Sequence, residues 1–429
     1  MQSKAFTLLC LVISTSALSA TASGWILADS TTHSALPNAT IFDRYGKAAG
    51  MTRSDGSAPY ISPHDYPVAV RYLGYKERTV ASPDADSVFM QPNITELRDI
   101  VVESRQKKLL HMLAYVREYS TLSTYTDTVT LFREKMVDYM LSDDAKLRRK
   151  GWQLPRVLKS ESYYHFTNLE GLDSVSDRCN NYFTWSDWVG MVPSTTLPAA
   201  IADKEYGTDT VHGKYSPTEI WVRDDSRVSL DVDVLADTAS RKWVPNLSLF
   251  FRKDVDFERF KIRFNYNNVG DMAGASNLTG YSYNIESNGR GRNMFMFNNV
   301  DEPFFVNTYA EIYIVDKEYV TAKEAGKWDK LRVDDNQMSI FVPEEAPELQ
   351  SNVLALIERV NNVDNAQVRV GMVPDHRLAG RKGERYSPGQ DILGRLKGLF
   401  GIDNINARRK WNRQWKEFRQ ERKERNASR

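Results

Sequence analysis

The chain has 429 residues, of which 41% are hydrophobic, 11% aromatic and 26% charged, with a mean hydropathy of −0.50. A single hydrophobic core stops growing near roughly 250–300 residues, so two folded units and a tail are expected, with a water-facing surface. The formal net charge of +1 hides an uneven distribution: Arg408 to Arg429 holds ten basic and three acidic residues, which leaves the body near −7 and argues against nucleic acid as a partner.

Residues 1–22 have the parts of a secretory signal: Lys4, an apolar run from Ala5 to Leu18, and small residues at Ala20 and Ala22. The run is shorter than the roughly 20 residues that span a bilayer, so cleavage after Ala22 and export are expected. Cys10 would leave with the leader, and Cys179 alone has no partner for an internal disulfide.

From Gly24 to Met90, short apolar runs (Trp25 to Leu27, Ala39 to Phe42, Val68 to Leu73, Val88 to Met90) alternate with turn chemistry at Pro37-Asn38, Asp55-Gly56, Ser62-Pro63 and Pro83-Asp84. This punctuation predicts an all-β sandwich over residues 23–103. Gly24-Trp25-Ile26, then Leu36 to Ile41, Thr52 with Asp55-Gly56, and Val68 through Leu73-Gly74-Tyr75-Lys76 resemble, in order, the carboxypeptidase regulatory-like domain. Leu97 to Val102 is similar to the closing strand that follows it in envelope members. The resemblance implies a seven-stranded-type transthyretin-like β-sandwich, of the kind found at the front of Gram-negative envelope and TonB-dependent proteins. It does not imply peptidase activity. The six histidines, His33, His64, His111, His165, His212 and His376, form no HExxH or HxxE unit on which a zinc site would rest.

In residues 104–120, Leu109, Met112, Leu113 and Val116 recur at helical spacing, which predicts a linking helix. Residues 121–373 read as a larger antiparallel sheet domain of about nine strands. Val228, Leu230, Val232 and Val234 alternate with polar residues, as do Phe260, Ile262, Phe264 and Tyr266, and Phe304 to Val315 suits a central strand. Asn288-Gly289 between Tyr281–Glu286 and Met294–Asn298 predicts a hairpin turn, and Pro347 to Asn361 a flanking helix. Residues 374–390 read as a linker and 391–429 as a basic amphipathic tail ending in a helix. The fold class expected is therefore mainly β with some α.

Candidate chemistry is sparse. Asp231 and Asp233 share a strand face, which suits either calcium, together with Asp224 or Asp225, or solvent. Trp185 and Trp188 suit a sugar-stacking platform or a core. Ser287 to Arg292 suits a phosphate or a hairpin, and Cys179 lacks any signature of an activating base. No nucleophile elbow, phosphate loop or dinucleotide fingerprint is present, and no cofactor is expected. Trp411, Trp415 and Phe418 lie in the basic tail and suit contact with an anionic membrane surface or an envelope protein, or packing onto the acidic body. These features predict a non-enzymatic exported envelope protein, periplasmic or outer-membrane associated, acting as a binding or structural scaffold. Two alternatives remain: a hydrolase on envelope polymers whose site is assembled from distant residues such as His165 or His212, and an outer-membrane transport or assembly accessory.

Overall fold

The computed structural model of the chain describes residues 24–93, 109–123, 127–142, 151–168, 173–178, 185–186, 189–190, 194–213, 217–237, 243–244, 255–290, 303–330 and 339–362. Trp188, Cys179, the segment 291–302 and everything after Asn362, including Trp411, Trp415 and Phe418, lie outside the described residues.

The N-terminal unit is a sandwich of β1 (Ile26–Asp29), β2 (Thr40–Phe42), β3 (Ala48–Met51), β4 (Val68–Arg71), β5 (Arg78–Val80) and β6 (Ser87–Met90). One sheet pairs β1 with β6 in parallel, and the other runs β3-β2-β4-β5 with antiparallel neighbours. Six strands are described, and Leu97 to Val102, expected as a closing strand, lies outside the described residues. Trp25, Leu27, Ile41, Val68, Val70, Val88 and Met90 fill the interior between the sheets. Buried polar groups there are paired, since Trp25 Nε1 donates to the Tyr66 hydroxyl at 3.0 Å, and Thr52 Oγ1 donates to the Leu36 carbonyl while accepting from the Ala39 amide. Gly56 has φ of 78°, the left-handed turn that Asp55-Gly56 suggested.

The second unit contributes β7 (Leu109–Ser123), β8 (Asp127–Ser142), β9 (Gly151–Asn168), β10 (Asp173–Ser176), β11 (Ser194–Thr196), β12 (Tyr206–His212), β13 (Pro217–Asp224), β14 (Arg227–Asp233), β15 (Val255–Tyr266), β16 (Met272–Gly274), β17 (Leu278–Arg290) and β18 (Pro303–Val320). Ten of these form one antiparallel sheet in the order β10-β9-β8-β7-β18-β17-β15-β14-β13-β12, while β11 and β16 make a separate pair. The first strand of the unit, β7, pairs with the last, β18, from Leu109↔Val320 to Ser123↔Phe305. The chain thus starts mid-sheet, walks out to β10, crosses to β12 at the far edge and walks back. Helices α1 (Ala199–Ala202), α2 (Ala322–Lys330) and α3 (Ser351–Asn362) flank it. Thr321 and Glu324 close a reciprocal cap on α2, with the Thr321 amide donating to Glu324 Oε2 at 2.7 Å.

Residues 109–120 are strand, not the linking helix that their spacing suggested. Leu110, Met112, Ala114 and Val116 face the main core, while Leu109, His111, Tyr115, Arg117 and Tyr119 are buried on the opposite face. A strand covered on both faces shows no polar alternation, so its period of two is hidden in the sequence. Asn288 and Gly289 also lie within β17, paired to Phe305 and Phe304, and do not form a turn. The predicted helix from Pro347 starts later, as α3, and the Pro347 carbonyl accepts from Arg117 Nη1 at 2.5 Å.

The sandwich docks on the face of the large sheet opposite the main core. In β4, Val68 and Val70 point into the sandwich, whereas Ala69 packs with Phe42, Tyr119, Phe132 and Tyr309. Arg71 is 1% exposed, and its Nε donates to Glu77 at 2.5 Å while Nη1 reaches Glu311 of β18 at 3.4 Å. Glu311 also accepts from the hydroxyls of Tyr309 and Tyr313, and the Arg71 guanidinium lies 4.7 Å from the Tyr119 ring centroid. Nearby, Arg263 Nη1 on β15 donates to the Tyr72 hydroxyl and to Asp231, both at 2.6 Å. A buried charge that loses its partner costs far more than the intact pair contributes. Arg71→Met should therefore lower stability by about 3–5 kcal/mol in urea unfolding, and Arg71→Met with Glu311→Leu should recover part of that loss.

Candidate functional site

The register of the large sheet builds a row on the sandwich-facing side. Thr208 pairs with Val222, Val222 with Ser229, Ser229 with Asn265, Asn265 with Gly280, and Gly280 with Tyr313. Tyr206 and Asp224, also paired, extend the same face toward the β12 edge. Leu73 and Gly74 approach this row from the sandwich. Gly74 has φ of 88°, and a Cβ there would come within 2.8 Å of Asn265 Nδ2, so glycine is what permits the approach. Between the two units lies a cleft of about 540 Å³, within the roughly 300–1,000 Å³ of small-ligand sites.

The sandwich wall of the cleft is organised by Asp29. Its Oδ1 accepts from the amides of Thr31 and Thr32 at 2.6 and 2.8 Å, and its Oδ2 from the Tyr75 hydroxyl at 2.7 Å. Burial pushes this carboxyl up, but the hydrogen bonds from Tyr75, Thr32 and Thr31 outweigh it and hold it below the usual carboxylate value. Burial, with the Asp29 hydrogen bond, raises the Tyr75 phenol, so it remains a neutral donor. On the sheet wall, Arg223 spends its guanidinium on the carbonyls of Asp225, Ile201, Ala202 and Val269. Arg263 is spent on Tyr72, Asp231 and the Leu73 carbonyl. Arg227, exposed at the rim, makes no side-chain hydrogen bond or ion pair among the described residues. Asn265 Oδ1 is shielded from solvent and lacks a hydrogen-bond partner among them.

Three polar clusters lie elsewhere. His111 bridges two carboxylates, with Nε2 3.0 Å from Asp138 and Nδ1 3.3 Å from Glu318, and it stacks on Trp328 at 4.6 Å. With both ring nitrogens engaged, neither is open to a substrate proton. His165 Nε2 lies 2.9 Å from Asp173, but the same Asp173 oxygen accepts from Arg359 at 2.8 Å. The hydrogen bonds from Arg359 and His165 hold that carboxyl below its usual value. Within the main core, the Ser186 hydroxyl donates to Glu118 at 2.5 Å and accepts from Lys135, which is itself 3.8 Å from Glu118. A serine beside a lysine is a nucleophile–base pairing in chemical type, yet all three side chains are buried, and the contact ties the Trp185–Ser186 segment to the sheet.

The residues singled out in sequence are dispersed. Asp231 and Asp233 do share a face, but it is buried, and each is matched by a cation: Arg263 at 2.6 Å and Lys261 at 3.2 Å. The pairing satisfies them without calcium, and the solvated alternative does not hold either. Trp185 is 0% exposed and packs on Phe257, with Nε1 donating to Ser287, so it offers no stacking surface. His165 on β9 and His212 on β12 lie toward opposite edges of the ten-stranded sheet and cannot share a site. Of the cleft residues, Asp224 was singled out in sequence, as a candidate calcium ligand; the others come from separate strands and carry no spacing signal.

No family model and no curated protein matches the chain. A solved structure described as lipid–protein interactions in lipovitellin aligns with 51% of this chain and 26% of its own, at 7% identity and a TM-score of 0.24. At that score the likeness carries no argument.

Asp138 gives the clearest pH dependence. Burial raises its carboxyl, but hydrogen bonds from His111 and Arg156, together with their charges, more than offset this and set it below the ordinary 3.8. A carboxyl lowered in the folded state binds fewer protons there than in the unfolded chain, so its contribution is complete above the ordinary value and fades as pH falls through the folded one. Asp138→Asn should therefore be less stable than the parent at pH 7, and the gap in urea midpoint should narrow as the pH drops below about 4. A gap that stays constant down to pH 2 would contradict this assignment.

Proposed function

We propose that this protein is an exported, non-catalytic scaffold of the bacterial cell envelope, and that the cleft between its sandwich and its ten-stranded sheet is where it binds. In this reading the N-terminal unit is a carboxypeptidase regulatory-like sandwich, a view supported by the resemblance of Trp25, Leu36 to Ile41, Asp55-Gly56 and Val68 to Lys76. The leader at residues 1–22 supports export. The basic tail with Trp411, Trp415 and Phe418 supports attachment to an anionic surface or an envelope partner.

The observation that carries the binding role is the cleft itself. Its walls are held in fixed relation by buried contacts such as Arg263 with Tyr72 and Asp231, so the ligand-facing groups are preorganised. Its rim carries Arg227 and Tyr206, the latter 64% exposed.

Two measurements check this reading. N-terminal sequencing of the protein from the envelope fraction should begin at Ser23, and a chain that keeps Met1 among cytosolic markers overturns export. In a Cys179→Ser background, an environment-sensitive dye on Tyr206→Cys should respond saturably to a low-molecular-mass envelope extract, while the same dye on Leu354→Cys, exposed on α3 against β9 and β10 toward the other edge of the sheet, should not. Equal responses, or none, overturn the cleft as the binding site.

A further inference from the structure

From the chemistry of the cleft walls we infer that its ligand is a neutral oligosaccharide; this rests on the reading of the cleft as the binding site. A sugar needs hydrogen-bonding groups that can meet closely spaced hydroxyls, and a flat aromatic surface for its apolar C–H face. The cleft supplies both. Thr31, Thr32 and Ser34 come from the sandwich, and Ser229, Asn265 and Thr279 from the sheet. Tyr75 and Tyr206 are at its walls, and Tyr206 is 64% exposed.

Asn265 sits mid-row between Ser229 and Gly280 and lines the cleft. Its Oδ1 is shielded from solvent, so a ligand meets the other polar groups of the row.

Charge then narrows the class. The cations Arg223 and Arg263 and the anion Asp29 are already committed to protein partners. What remains at the walls is Arg227 against Asp224 and Glu345, a mixed set without the concentrated field that holds a multiply charged ligand.

Calorimetric titration of the purified full chain with chitotetraose, cellotetraose and maltotetraose tests the inference. At least one should bind saturably at a single site, Tyr206→Ala should weaken that binding about tenfold, and Arg227→Ala should weaken it about threefold. Both side chains are exposed, so thermal midpoints should be unchanged. The inference is overturned if none of the three binds at millimolar concentration, or if binding persists undiminished in both variants. Saturable binding of inorganic phosphate at the cleft in place of the sugars also overturns it. The dye on Tyr206→Cys separates the two levels: a response to the envelope extract without a response to the oligosaccharides removes the sugar class and leaves the cleft as a binding site, whereas silence toward both removes the cleft.

Discussion

The pairing of β7 with β18 organises the whole molecule. These strands are the first and last of the large unit, and their ladder runs from Leu109↔Val320 to Ser123↔Phe305 at the centre of the sheet. Such a contact spans about two hundred residues of chain, so it carries a large closure entropy and needs compensating burial on both faces. One face supplies it through Leu110, Met112, Ala310 and Ile312 in the main core. The other supplies it because the sandwich, together with Ile340, Ala346 and α3, covers Tyr115, Tyr119, Tyr309 and Tyr313. The N-terminal unit therefore acts as part of the sheet's interior packing.

That arrangement explains why so many charges are buried at the junction. A sheet face of tyrosines alternating with Arg117, Glu311, Asp231 and Arg263 cannot be dehydrated by aliphatic side chains alone. Arg71 and Tyr72 bring partners for these groups from the sandwich, and Glu311 collects Arg71, Tyr309 and Tyr313 at one point. Matched polar contacts of this kind fix a single docking geometry, because a slip along the sheet would strand each charge. The cleft exists because the match ends at Leu73 and Gly74, beyond which the two walls diverge around Asn265 and Tyr206.

The sequence made some of this readable. Val228 to Val234 and Phe260 to Tyr266 have one buried and one polar face, and both are strands with their apolar residues in the main core. β1, β2, β4 and β6 were visible as apolar runs between turns. β7 was not, because dehydration on both sides erased the alternation and left a spacing that mimics a helix. β3 and β5 are short and partly exposed, so they offered little apolar signal. α2 was missed although Thr321 and Glu324 stand at the spacing of a reciprocal cap. The cleft was beyond reach in principle, since its lining is set by register between strands far apart in the chain. The pairing of Asp231 and Asp233 with Arg263 and Lys261 was likewise hidden, because cross-strand partners leave no mark on local spacing.

The double-sided burial of β4 bears on how the molecule comes apart. Its Val68 and Val70 belong to an interior that residues 25–90 complete by themselves, and its Ala69 and Arg71 to the junction with the sheet, so separation of the two units strips one face of the strand and leaves the other packed. Cutting the backbone anywhere between residues 93 and 109 would yield two fragments that stay associated without a covalent link, held by the buried junction alone.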